Sequence, residues 1–372
     1  MSTQRRIYLD FNATAPLADA ARAAMTAAMA AAGNPSSIHA EGRAARDRVE
    51  RARAQVATLV GRPRDQIVFT SGGTEANALG VLALARTAEV RGAARVVATS
   101  PIEHPSLAGA VAELVARGWQ RLELAVDPNG AIAVPAEQPV GVVAIAVVNH
   151  ELGVVQDLAA ITAWARAAGA LVHVDAVQAA GKLPLAELAA DAVAISAHKL
   201  GGPQGVGALA IAVDAGLPLV AAGHQERGRR PGTENTLGIV GFGAAADAMG
   251  EDWTRVAALG DAFERQLRSI TDTRIHGDGA RRIGGTINAG FTRALGESIV
   301  IALDLDGIAV STGAACTSGS VQPSPVLLGL GLPPERAREA VRFSLGRTTT
   351  TEELDRVMAV LPGIVERARK HA

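Results

Sequence analysis

Short runs of apolar, β-branched residues alternate with longer stretches of helical spacing through the first two-thirds of this 372-residue chain. Ile67–Thr70, Arg95–Thr99, Gln120–Leu124, Val142–Val148, Leu171–Val174, Ala192–Ile195 and Ala208–Val213 are predicted as strands. Thr74–Arg86, Ser106–Arg117 and Leu158–Ala168 carry the helical pattern between them. This alternation implies a mostly parallel sheet with helices on both faces. From about Gly250 the pattern changes to a long helix (Asp252–Ser269), strands around Gly285–Phe291 and Ala309–Ser311, and a terminal helix from Thr351. The expected architecture is α/β, with a large domain over residues 14–250 built on a mostly parallel seven-stranded sheet. Residues 1–13 and 251–372 are expected to form a smaller α+β domain.

In sheets of this kind a ligand sits outside the carboxyl ends of the strands. The chemically loaded residues fall at those ends: Ser71-Gly72-Gly73-Thr74, His104, Asn149, Asp175 and Lys199. Lys199 closes the run AVAISAHKLGGPQGVG (192–207), where Ser196 and His198 precede it and glycines follow. Lysine is seldom fully buried without a partner, and desolvation turns its ammonium into a usable amine. Such a lysine suits a Schiff base to a carbonyl cofactor, with pyridoxal phosphate the leading candidate. A lysine that merely snorkels from a strand end to solvent is the plainer alternative on this segment alone.

The neighbouring motifs favour the first reading. In FTSGGTEAN (69–77) a glycine turn feeds a helix start, where backbone amides and the Thr74 hydroxyl suit a phosphate monoester. The spacing is not that of a P-loop. In HVDAVQ (173–178) the aspartate closes an apolar strand and is either a helix N-cap or a buried carboxylate in need of a cationic partner, for which a protonated pyridine nitrogen would serve. Gln178 is then placed to donate to a ring hydroxyl. Arg342, in VRFSLGR (341–347), alternates with apolar residues as a strand residue does, and an arginine there either snorkels to solvent or grips a carboxylate through its fork.

Composition narrows the rest. With 48% hydrophobic residues a sizeable core is available, and 36 basic residues against 37 acidic ones call for neither nucleic acid nor an anionic membrane as a partner. The start, MSTQRRIYLD, turns acidic before any apolar run of signal-peptide length, so secretion is not expected. No apolar stretch is long enough to span a membrane. Cys316 is the single cysteine, which rules out an intramolecular disulfide or a cysteine-ligated zinc or iron–sulfur site within one chain. A cytoplasmic, reducing setting fits, and no metal site is expected. Cys316 sits among small turn-forming residues, STGAACTSGS (311–320), the composition of a mobile exposed loop carrying a reactive thiol.

Taken in order, YLDFNATAP (8–16), GNPSSIH (33–39), SGGTEAN (71–77), EHPS (103–106), NHELG (149–153), HVDAVQAAGK (173–182), SAHKLGGPQGVG (196–207), RRPGTENT (229–236), GAACTSGS (313–320) and RFSLGRTTT (342–350) resemble the cysteine desulfurases of the nitrogen-fixation and iron–sulfur-cluster type, within the class V aminotransferase superfamily. The resemblance implies a fold-type I pyridoxal-phosphate transferase that takes sulfur from L-cysteine, leaves alanine, and carries the sulfur as a persulfide on Cys316 to an acceptor or scaffold protein. It implies Lys199 as the Schiff-base lysine, Asp175 as partner of the ring nitrogen, His104 as the stacked imidazole and candidate for proton transfer, and Gln178 on the ring hydroxyl. Gly73, Thr74, Ser196 and His198 match the phosphate cradle, with Thr233 reaching in from the neighbouring subunit of a homodimer. Asn149 matches the cofactor-side asparagine, and Arg342 with Asn12 the clamp on the substrate carboxylate. His150 stands where asparagine is more usual, Gln204 where lysine is common, and Ala15 where threonine is frequent. A selenocysteine lyase, another class V transferase, or a non-catalytic assembly subunit of the same fold are the alternatives.

Overall fold

The computed structural model describes residues 6–212, 222–249, 253–313 and 322–370. In chain order the strands are β1 (Ile7–Tyr8), β2 (Ile67–Thr70), β3 (Val96–Thr99), β4 (Gln120–Glu123), β5 (Val142–Ala146), β6 (Leu171–Asp175), β7 (Ala192–Ser196), β8 (Gly207–Ile211), β9 (Thr273–His276), β10 (Thr286–Phe291), β11 (Ile308–Ala309) and β12 (Ala340–Ser344).

Seven of them form one sheet in the order β2-β8-β7-β6-β5-β3-β4. Only β8 runs against its neighbours, pairing antiparallel with both β2 and β7, so the sheet is mostly parallel as the alternation predicts. Strands β5 to β8 are buried along nearly their whole length, which is why they read as unbroken apolar runs rather than alternating ones. One face carries the cluster with Val56, Phe69, Ile145, Ile195 and Phe242. The other packs on the helix Gly73–Val90 through Leu79, Leu84 and Leu209.

The strand ends differ from expectation by a residue or two, and the difference is informative. Asp175 and Ser196 are the last residues of β6 and β7, one position past the predicted strand ends. Lys199 closes a single 3-10 turn, Ala197–Lys199, directly after β7. The helices Asp19–Met29, Ala40–Val60 and Thr236–Asp247 add to those anticipated. They pack together on one side of the sheet. Val213 and Asp252, expected in a strand and a helix, lie outside the described residues.

Strands β9, β10 and β12 make a separate antiparallel sheet in the order β12-β10-β9. It has its own core, in which Phe263, Phe291 and Phe343 meet Val357 and Leu361 of the terminal helix Thr351–Arg369. Ile7 and Leu9 bury in that same core, and β1 pairs parallel with β11. The chain start is therefore tied to the C-terminal part before it crosses to the large sheet. Among the described residues no helix is long and apolar enough to cross a membrane.

A buried ion pair anchors the segment after β8. Glu226, held in left-handed backbone (φ 47°), accepts both guanidinium ends of Arg53 at 2.7 and 2.8 Å and also the Phe69 N–H at 2.8 Å. Arg53 further donates to the Ile67 carbonyl at 2.9 Å and lies over the Phe69 ring. Deleting one partner leaves the other charge buried and uncompensated, a loss of about 3–5 kcal/mol. Urea unfolding of Arg53→Ala is expected to show that loss. A change below about 1 kcal/mol, the size of a surface pair, would contradict it.

Candidate active site

The carboxyl ends of β2, β6 and β7 and the turns after them bring most of the predicted residues to one place. The helix Gly73–Val90 begins with no side-chain cap, so its first amides are available to an anion. Gly73 is there for space: a Cβ on it would lie 2.9 Å from Val177 Cγ2 and 3.4 Å from Ser196 Cβ. The Ser196 hydroxyl beside it is buried and has no hydrogen-bond partner. Thr74 is exposed on the first turn. His198 Nδ1 lies 3.2 Å from Thr14 Oγ1, and burial together with the Lys199 charge brings the imidazole down to about 4, so the ring is neutral. An orphaned buried hydroxyl facing an uncapped helix end is the arrangement a phosphate monoester completes.

Asp175 is buried and accepts only from neutral donors, the Asn77 amide at 2.7 Å and the Val177 N–H at 2.9 Å. Among the described residues no cationic side chain pairs with it. A buried carboxylate in that state fits a protonated ring nitrogen.

Asn77 links this carboxylate to His104. Its Nδ2 donates to Asp175 and, at 2.9 Å, to Ser106 Oγ, while its Oδ1 lies 2.9 Å from His173 Nε2. Ser106 Oγ lies 2.7 Å from His104 Nδ1, which also accepts the Ser106 N–H as the cap of the helix Pro105–Ala116. With Ser106 accepting from Asn77, its own hydroxyl proton goes to His104 Nδ1. The ring proton of His104 is thereby placed on Nε2. Burial lowers the His104 imidazole below its ordinary range, with Asp175 working against the shift and Lys199 and Arg342 adding to it. His173 is brought to about 3 by burial alone and is neutral. The His150 ring meets that of His104 edge-on, centroids 5.0 Å apart.

Lys199 donates to the carbonyls of Asn12 (2.6 Å) and Ala13 (2.8 Å). Gln178 Nε2 donates to the same Asn12 carbonyl at 3.0 Å. Asn12 is itself fully engaged: Nδ2 donates to the His150 carbonyl (3.1 Å) and Thr286 Oγ1 (3.0 Å), and Oδ1 accepts from Lys182 (3.3 Å). Asn149 builds its own turn, with Oδ1 accepting from the N–H groups of Glu151 and Leu152 and Nδ2 donating to the Ile102 carbonyl.

Arg342, on β12, pairs with Asp10 at 2.8 Å and donates to the His150 carbonyl at 3.3 Å. Its Nε is buried without a partner. The guanidinium thus keeps N–H groups for a carboxylate. Its backbone pairs with Ser311, whose carbonyl accepts the Arg342 N–H at 2.6 Å. Glu151 is buried, its carboxyl raised by burial, and accepts from Ser324 Oγ at 2.6 Å. Ser311 and Ser324 flank Cys316 in sequence; Cys316 itself lies outside the described residues. Thr233 is exposed, on a segment whose Arg230 pairs with Glu75 at 3.0 Å beside the helix start.

Sequence patterns gave no role to Asn77, Ser106, Asp10, Glu103 or Lys182. All lie inside or next to the quoted motifs, which was the available signal. Glu103 is buried against Ser100 Oγ and the Ala146 N–H, and burial brings its carboxyl up to about 8. Among the described residues no three His, Cys, Asp or Glu side chains group closely enough to hold a metal ion.

The family model for class-V aminotransferases matches residues 7–357. The chain belongs to that family. Within it, the chain is 40% identical over 377 residues to Cysteine desulfurase 2 of Trichormus variabilis, a match covering 98% of this chain and 94% of that one. Among solved structures it resembles a NifS-like protein, with a TM-score of 0.87 and 30% identity, over 97% of this chain and all of that one. It also resembles SspA, solved in complex with cysteine, with a TM-score of 0.78 and 27% identity, over 91% of this chain and 98% of that one.

Proposed function

We propose that this class-V family member is a pyridoxal-phosphate-dependent cysteine desulfurase, converting L-cysteine to L-alanine and holding the sulfur as a persulfide on Cys316. The observation that carries the reading is Asp175, a buried carboxylate with neutral donors only, at the strand end next to the one that leads into Lys199. When bound, pyridoxal phosphate supplies an aldehyde for Lys199 and a ring that takes up electrons as the substrate Cα–H bond breaks.

The chain's own groups have distinct tasks. Asp175 holds the ring-nitrogen proton, and Gln178 donates from Nε2 to the ring hydroxyl. Gly73, Thr74, Ser196 and His198 hold the phosphate, and the remaining Nδ2 hydrogen of Asn149 is the one it can offer a ligand. Arg342, with Asn12 beside it, orients the substrate carboxylate. Lys199 Nζ takes the Cα proton when its amine is neutral. His104, a neutral imidazole whose Nε2–H is fixed by the Asp175–Asn77–Ser106 chain, donates a hydrogen bond from Nε2 to the reacting groups. The Cys316 thiolate takes the substrate sulfur, so cysteine plus thiol become alanine plus persulfide with no external oxidant.

The Cys316-bearing segment is supported here by its flanks: Ser311 is paired with the Arg342 backbone and Ser324 bonds Glu151. A homodimer with Thr233 entering the partner's site, an acceptor or scaffold protein for the sulfur, and a cytoplasmic setting belong to the same reading. The exposure of Thr233 beside the helix start supports the first of these.

The function is tested by supplying L-cysteine and a thiol reductant. Equal amounts of alanine and sulfide are expected, and pyruvate with ammonia, or no turnover, would refute it. The clamp has its own test. Arg342→Ala should lower kcat/KM at least about 30-fold, chiefly through KM, since truncating a buried charge pair costs about 2–5 kcal/mol. Arg342→Lys should recover only part, because an ammonium lacks the planar fork. Equal KM in all three proteins would dispose of the clamp.

A further inference from the structure

Lys182 ends the motif HVDAVQAAGK, yet the mechanism above gives its amine no individual task. Its Nζ lies 3.1 Å from Gln178 Oε1 and 3.3 Å from Asn12 Oδ1, and it faces the Trp253 ring at 5.3 Å. No carboxylate among the described residues pairs with it. The charged groups that bear on it are Lys199 from the turn after β7, Arg342 from β12 and Arg347 from the turn beyond, all cations. The amine also lines a cavity of about 430 Å³ shared with Lys199, Phe11, Trp253 and Arg347. The acids on that cavity are otherwise engaged: Asp19 pairs with Arg22, and Glu353 accepts the Thr350 N–H.

These contacts have a directional consequence. A carboxamide can be seated either way round, and its neighbours decide. Lys182 offers only donors, so both Oδ1 of Asn12 and Oε1 of Gln178 must face it. The Asn12 Nδ2 group is then left for the His150 carbonyl and Thr286. The Gln178 Nε2 group is left for the Asn12 carbonyl, with one N–H to spare. That same Asn12 carbonyl holds the Lys199 amine at 2.6 Å. Lys182, Gln178, Asn12 and Lys199 are thus one connected set.

We propose that Lys182 is a positioning residue for the cofactor lysine: its amine fixes the amides of Asn12 and Gln178 so that one carbonyl seats Lys199 and one N–H faces the cofactor's ring hydroxyl. The inference rests on the pyridoxal-phosphate reading above. The charge matters as well as the contacts. Burial, and then repulsion from Lys199, Arg342 and Arg347, brings the Lys182 amine down to about 7. Below that value the amine is an ammonium that only donates, the form that orients the two amides.

The test uses the full-length protein stripped of cofactor and mixed with pyridoxal phosphate, following the visible band across pH. In Lys182→Met cofactor capture at about pH 6–7 should slow roughly three- to tenfold, because the Asn12 amide whose backbone carbonyl seats Lys199 loses its fixed donor. The band maximum should also move, because the Gln178 N–H is no longer held toward the ring. Lys182→Arg, which keeps a charged donor, should capture the cofactor within about twofold of the unsubstituted protein. A lysine that only packed its stem on Trp253 would let methionine replace it in both readouts, and that result would overturn the proposal. Should the methionine variant not fold, Lys182→Leu makes the same comparison. Failure of the unsubstituted protein to take up pyridoxal phosphate would instead overturn the function on which the inference rests.

Discussion

Lys199→Ala is expected to abolish turnover while leaving the protein folded and able to bind pyridoxal phosphate non-covalently. The covalent link depends on Nζ, and the proton-transfer role alone is worth about 10²–10⁴ in rate. The phosphate cradle proposed for Gly73, Thr74, Ser196 and His198 uses none of that amine, so affinity should fall without vanishing. The other amine of this cluster, Lys182, sits on the amides of Asn12 and Gln178 and is not expected to substitute for it. Borohydride reduction followed by peptide mass analysis checks this. A reducible adduct that survived in Lys199→Ala would remove Lys199 from its assigned place.

The second large effect concerns Cys316. Cys316→Ser should bind the cofactor and L-cysteine normally, because neither step uses the thiol, yet release no sulfur. A hydroxyl is not ionised near neutral pH and is a poor nucleophile toward sulfur. A cysteine-dependent change in the visible spectrum should therefore persist while sulfide and alanine fall to background. Sulfide release undiminished in Cys316→Ser would favour a β-eliminating lyase, and pyruvate would then replace alanine among the products.

Much of the fold can be read from the chain because the central strands are buried on both faces and so appear as short apolar blocks between helical patterns. The helix Ala40–Val60 is harder to see. Its buried stripe of Ala45, Val49, Ala52, Val56 and Val60 is narrow and built of small residues, and charged side chains fill most of the rest. Asp175 and Lys199 are legible because a carboxylate and an amine at strand ends demand a chemical reason. Asn77 is not, since its meaning lies in Asp175, 98 positions away, and in Ser106 and His173. The same holds for Arg53 and Glu226, whose pairing joins positions 173 residues apart. Lys182 reads as a polar turn residue until the fold sets it against Asn12. Neutral amides and long-range pairs leave no local pattern, and here they hold Asp175, His104 and Asn12 in place.

The central claim is that the sulfur of L-cysteine passes to the single cysteine of this chain. It is tested most directly by brief exposure of the holoenzyme to L-cysteine without reductant, alkylation, and mass analysis of the peptide bearing Cys316. One added sulfur between Cys316 Sγ and the alkyl group, with an equal amount of alanine in solution, is the predicted result. Alkylated Cys316 with no added sulfur, found while cysteine is being consumed, would contradict it.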